Sequence, residues 1–128
     1  MDTMLILGDG GLGRAVETAA RERDGRAAGA RSIRVLGRPH DGRHDPRDLA
    51  GAGLVVEASR ADAVASNMAA SLDAGCRSFV IATTGWSTDR PRVEALLDAH
   101  RASAVAASNF SLGVVLFGRL VVAAVELF

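Results

Sequence analysis

Gly8-Asp9-Gly10-Gly11-Leu12-Gly13 carries the spacing G-x-G-x-x-G. The chemistry this spacing serves is the holding of a pyrophosphate. The first glycine permits a tight turn, the second lets the anion come up against the backbone, and the third lets a helix pack closely on a strand. The free N–H groups at the helix start then face the negative charge. A glycine-rich reversal has the same composition, so context decides between the two. Here the apolar run Met4–Leu7 precedes the glycines, and a helical pattern over Arg14–Arg23, with Val16, Ala19 and Ala20 on one face, follows them.

Cofactor choice in such a site is made at the tip of the second strand. An acid there holds a ribose 2′-OH, whereas an Arg accommodates a 2′-phosphate. The chain reads Val35-Leu36-Gly37-Arg38-Pro39 at that point, with no acid at the tip and Arg38 beside it. This predicts a preference for NADPH, with NADH also possible; Asp41 is the nearby acid within reach of a ribose.

These residues need a scaffold, and the sequence supplies strands alternating with helices. Short apolar runs fall at Met4–Leu7, Ser32–Leu36, Leu54–Ala58, Phe79–Ala82 and Ala104–Ala107. Helical stretches follow at 14–23, 61–74 (closed by Gly75), 89–100 (opened by Pro91) and 113–128. Continuous apolar strands are those of a sheet covered on both faces. The expectation is an α/β fold: a Rossmann-type, doubly wound, mostly parallel sheet in a single domain. Gly37–Gly53 is polar and rich in Gly, Pro and Asp, and reads as mostly loop and the segment expected to move.

Composition narrows the function. The 128 residues are 48% hydrophobic with a net charge of zero, so nothing draws the chain to nucleic acid or to an anionic membrane. All fifteen basic residues are Arg, and the absence of Lys removes any lysine chemistry. The one cysteine, Cys76, has no partner for an internal disulfide and reads as a packing residue, and His40, His44 and His100 are scattered as surface residues. No metal site is expected. Met4–Leu7 lacks the flanks of a signal peptide, and Gly118, Arg119 and Glu126 interrupt the last apolar stretch. A cytoplasmic protein without a membrane span is expected.

Two further stretches, each just beyond a predicted strand, carry a family resemblance. They are Val80-Ile81-Ala82-Thr83-Thr84-Gly85-Trp86 and Ser108-Asn109-Phe110-Ser111-Leu112-Gly113-Val114. With the N-terminal glycines they resemble the dihydrodipicolinate reductase (4-hydroxy-tetrahydrodipicolinate reductase) family, which shows I-G-T-T-G and A-N-F-S-x-G-V at these places. The resemblance spans nearly the whole chain. It implies an NAD(P)H-dependent oxidoreductase of lysine and diaminopimelate biosynthesis.

By position, Gly8, Asp9, Gly10, Gly11, Leu12 and Gly13 would cradle the pyrophosphate, and Arg38 would read NADP. Ala82, Thr83 and Thr84 would lie near the nicotinamide and its ribose, and Ser108, Asn109, Phe110 and Ser111 would line the nicotinamide side. Ala82 replaces the family's Gly, Gly37 its frequent acid, Ser108 its Ala, and Glu57-Ala58-Ser59 its Asp-Phe-Ser or Asp-Phe-Thr. Asn109 and Ser111 also suit the cap of the last helix, and Trp86 reads as packing.

The family's catalytic groups, a His pair and a Lys in an H-H-x-x-K motif, have no counterpart in the chain. The organisation expected is therefore a dinucleotide-binding domain over 1–112 and a helix over 113–128 leading into an absent catalytic domain. No catalytic residue is assigned and no reductase turnover is expected from this chain alone. Two alternatives stay open. One is a non-catalytic nucleotide-binding or regulatory module. The other is the cofactor domain of a related amino-acid dehydrogenase, against which the paired T-T-G and N-F-S motifs speak. Residues 114–128 are apolar on more than one helical face, which predicts a homo-oligomer through this helix or contact with the missing domain.

Overall fold

Leu5, Ile6 and Leu7 are consecutive, and all three are buried in the computed structural model. A strand achieves this only in the interior of a sheet with layers on both sides. The structure describes residues 3–24, 31–107 and 112–127. In chain order they form strand β1 (Thr3–Leu7), helix α1 (Gly11–Asp24), strand β2 (Ser32–Leu36), helix α2 (Pro46–Leu49) and strand β3 (Ala52–Glu57). Helix α3 (Val64–Asp73), strand β4 (Ser78–Ile81), helix α4 (Arg90–His100), strand β5 (Ser103–Ala106) and helix α5 (Leu112–Leu127) complete them.

The five strands make one all-parallel sheet in the order β2-β1-β3-β4-β5. Leu5 lies between Arg34 of β2 and Val55 of β3, and Leu7 between Leu36 and Glu57. The doubly wound, Rossmann-like α/β fold expected from the sequence is the fold found. The order reverses at β1: the chain first crosses to β2 on one side, then returns to β3 on the other. In open parallel sheets such a reversal leaves a crevice at the carboxyl ends of the strands.

Two apolar layers hold the sheet. On one face Leu5, Leu7, Val55, Phe79 and Ile81 pack with Leu49 of α2, Val64, Met68 and Leu72 of α3, and Val93 of α4. On the other, Ile6, Val56 and Ala58 pack with Val16 of α1 and with Ile33, Val35 and Val80. Among the described residues the second layer is thinner. On α1 only Gly13 is fully buried, and Ala19, expected on the packed face, is exposed. Val105 on β5 is exposed as well.

Several boundaries differ from the expectation. α1 begins at Gly11 rather than Arg14, with the Arg14 N–H donating to Gly10 O at 3.0 Å. The stretches expected as helices over 61–74 and 89–100 each open with a turn of 3₁₀ helix, Ala61–Ala63 and Ser87–Asp89. β5 covers Ser103–Ala106 in place of 104–107. α3 ends as the sequence suggests. Gly75 takes φ +98 and donates to Leu72 O at 3.0 Å, while the Cys76 N–H reaches Ser71 O at 2.9 Å. This paired closure suits a glycine just past the helix.

The segment 37–53 is more ordered than expected. It contains α2, started by the Asp45 carboxylate accepting from the Arg47 N–H at 2.9 Å, with Pro46 in the first turn. Asp45 is an N-cap and Pro46 is pre-set in φ, so a polar composition conceals a helix start. The Arg47 side chain and backbone N–H together hold the Asp45 carboxyl down at about 2. Leu49 is fully buried, and its carbonyl accepts from Cys76 Sγ at 3.3 Å. Cys76 is the packing residue expected, with burial pushing its thiol pKa up.

Among the described residues no helix is long and apolar enough to cross a membrane. None of the groupings of His, Cys, Asp and Glu among them is placed to hold a metal ion.

Candidate functional site

The glycine turn sits where three strand tips meet. The Gly8 N–H donates to Leu36 O at the end of β2, and the Ala58 N–H donates to Leu7 O, both at 2.8 Å. Two of the glycines are demanded by the protein's own backbone. A Cβ on Gly8 (φ +115) would lie 2.1 Å from Ala58 O, and one on Gly13 would lie 1.9 Å from Gly8 O. Gly10 and Gly11 differ, because a Cβ on either meets nothing within 4 Å. Gly8 and Gly13 thus bring β1, β3 and α1 together, while Gly10 keeps its outer side clear.

The clear space belongs to a cleft of about 400 Å³ at the reversal of strand order. One wall is the turn, Gly8 to Gly10. A second is the segment after β2, with Gly37, Arg38 and His44, and the third comes from Ser59, Arg60 and Asn67 after β3. Arg38 is exposed and makes no hydrogen bond or ion pair among the described residues. Arg60, on the opposite lip, is ion-paired with Asp62 at 3.2 Å. His44, expected at the surface, is half-buried on the cleft wall. Burial lowers its pKa while Asp48 pulls it back up.

Behind this cleft lies a buried polar group that the strand pattern conceals. Glu57 closes β3 and is completely buried. The Ser59 N–H donates to its Oε1 at 2.9 Å, and the Ser59 hydroxyl bonds to the same oxygen. Asn67 Nδ2 donates to Oε2 at 2.9 Å and also reaches Ser59 Oγ at 3.1 Å. Thr83 Oγ1 completes the set at 3.2 Å from Oε1. Burial pushes the Glu57 carboxyl pKa up, and the bonds from Ser59, Asn67 and Thr83 pull it back only in part. All these side chains present donors, which is what a buried carboxylate requires.

Thr83 links this group to a second cleft. Ala82 and Thr83 leave β4 with their N–H groups on Glu57 O, at 2.9 and 3.2 Å. Thr83, Thr84, Gly85 and Trp86 then line a hollow of about 200 Å³ with Arg90 and Ala106. Trp86 also packs against the main apolar layer, as expected.

Of the residues singled out in the sequence, Gly8, Asp9, Gly10 and Arg38 share the first cleft, and Thr83 and Thr84 share the second. Gly11, Leu12, Gly13 and Ala82 line neither: Gly13 is buried beneath the turn, and Leu12 faces outward on α1. Ser108, Asn109, Phe110 and Ser111 lie outside the described residues. The sequence reading missed Asn67 and His44. A signal for Asn67 was present, since it lies three residues after Val64 and beside Met68, on the packed side of an Ala-rich helix. Comparison with known proteins gives no match, either to a protein-family model or to a curated protein.

Proposed function

We propose that this chain is a nicotinamide-dinucleotide-binding domain of a dihydrodipicolinate reductase-like oxidoreductase, taking NADPH in preference to NADH. The observation that carries this reading is the open space over Gly10, within a cleft at the reversal of a parallel sheet. A pyrophosphate fits there against the turn and the start of α1. The unpaired Arg38 guanidinium suits a 2′-phosphate. Thr83 and Thr84, at the second cleft, fit the nicotinamide end by the family resemblance. The bound cofactor would supply hydride chemistry, and this chain's residues would bind and orient it. With no Lys in the chain, the family's lysine proton donor is not among these residues. A nucleotide-binding module without turnover is therefore the alternative reading.

Gly10→Val tests the site. A Cβ added at Gly10 has nothing within 4 Å beyond its own chain neighbours, so the variant is expected to fold. It would occupy the pyrophosphate path and lower affinity for both cofactors about 100-fold, or ~2.7 kcal/mol. Calorimetric titration of the folded variant checks this, and unchanged affinity rejects the site.

Helix α5 supports a second element of the proposal, association of two copies. Val114, Phe117, Val121 and Val125 form one stripe along the helix, and Leu116, Leu120 and Leu127 form another that flanks it. All are exposed, Phe117 at 66% and Leu127 at 83%. One stripe is enough to dock a helix on a sheet, so a second one remains for another surface. Sedimentation at high micromolar concentration is expected to show a dimer, shifted toward monomer by Phe117→Glu with Val121→Glu. A monomeric unmutated chain would refute it.

A further inference from the structure

The acid that usually holds the ribose at the tip of the second strand is missing, because Gly37 stands there. The space is nevertheless taken by a carboxyl group. A Cβ on Gly37 would lie 2.6 Å from Asp9 Oδ2, 2.9 Å from its Cγ and 3.3 Å from Oδ1. Asp9 therefore reaches, from the glycine turn, the volume in which a side chain at the strand tip would begin. The clamp that brings the two segments together is the Gly8 N–H bond to Leu36 O at 2.8 Å. A side chain at position 37 would push the exposed Asp9 carboxyl out of this volume, which Gly37 leaves to it.

Asp9 is exposed and lines the same cleft as Gly37 and Arg38. Its carboxylate makes no hydrogen bond or ion pair among the described residues. An ionised carboxylate is a pure acceptor, with lone pairs for two donors at once. A ribose 2′,3′-diol offers two adjacent hydroxyl donors. A 2′-phosphate instead removes one of them and adds negative charge at the carboxylate.

We infer that Asp9 is the acceptor for the adenosine ribose diol, and that it opposes Arg38 in the choice between NADH and NADPH. The inference rests on the dinucleotide reading above and moves the ribose-reading group from the tip of β2 to the turn after β1. Asp9 favours the free diol, and Arg38 favours the phosphorylated ribose. The chain's preference is the balance of the two.

The test is a set of calorimetric titrations of the full chain and its Asp9→Asn and Arg38→Ala variants with NADH, NADPH and 2′-deoxy-NADH. Asp9→Asn is expected to weaken NADH about tenfold, the loss of one charge-assisted hydrogen bond, and to leave NADPH unchanged or tighter. Arg38→Ala is expected to move the ratio the other way. The unmutated chain should bind NADH more tightly than 2′-deoxy-NADH, and Asp9→Asn should reduce that difference. If Asp9→Asn weakens both cofactors equally, or neither, Asp9 does not read the ribose. If that happens while Gly10→Val still blocks binding, only this inference falls. If the unmutated chain binds neither cofactor, the dinucleotide reading falls with it.

Discussion

Gly13→Ala is expected to destabilise the fold strongly. Its methyl group would stand 1.9 Å from Gly8 O, a backbone atom of the turn that α1 rests upon. Neither side can yield cheaply. Gly8 is itself pressed against Ala58 O, where its own Cβ would be 2.1 Å away. Overpacking a well-packed site costs about 1–3 kcal/mol and sometimes more, and a clash of backbone on both sides belongs at the upper end. Domains of this kind are stable by only ~5–15 kcal/mol, so the urea midpoint should fall by a large fraction. Gly11→Ala is the matched control. Its Cβ meets nothing within 4 Å, and removing a helical glycine can contribute up to ~1 kcal/mol. Equal midpoints for the two variants would contradict the packing described for the turn.

Loss of the Glu57 carboxyl should be as damaging, and it carries a pH signature. Glu57→Ala leaves the Ser59 N–H and hydroxyl and the Asn67 amide without their shared acceptor, while Thr83 Oγ1 keeps the backbone carbonyl of residue 57 at 3.3 Å. Each buried donor left unmet costs about 1–3 kcal/mol, so a loss of roughly 3 kcal/mol or more is expected. Glu57→Gln keeps the shape and removes the titration. The Glu57 pKa is raised above its ordinary 4.5, chiefly by burial, so the folded state holds the proton more tightly than the unfolded one. The stability this brings is fully present below 4.5 and is lost as pH rises through the raised value. Unfolding free energy of the unmutated chain, taken relative to Glu57→Gln, should therefore decline over that window. Denaturant titrations at a series of pH values measure it, and a flat difference would show that the carboxyl titrates normally.

What could be read from the sequence was whatever is local and periodic. Val55-Val56 and Ile81 announce strands, and Gly8 to Gly13 announce a strand–turn–helix, because these patterns repeat within a few residues. α2 escaped because its start, Asp45-Pro46, is made of the residues that also build loops. The exposure of Ala19 escaped because α1 packs lightly, against the thinner of the two layers. Glu57 was seen only as a departure from a family pattern. Its partners Asn67 and Thr83 lie ten and twenty-six residues away, and only the fold joins them. The meeting of Asp9 with Gly37 is of the same kind. Each residue looks unremarkable in its own segment, and the relation between them exists only across the tips of two neighbouring strands.

The bond from Cys76 Sγ to Leu49 O ties the end of α2 to the turn that closes α3. Cys76 is 1% exposed and is the chain's single thiol. Alkylating reagents attack thiolates, so they reach this sulfur only when the corner opens and water enters. Partial openings of this kind occur in units well below global unfolding. The labelling rate of the native protein is thus an internal clock for one corner, the one from which residues 38–44 run out to form the cleft wall. A ligand that steadies that wall slows the clock, giving a spectroscopically silent binding event a chemical readout at a distance.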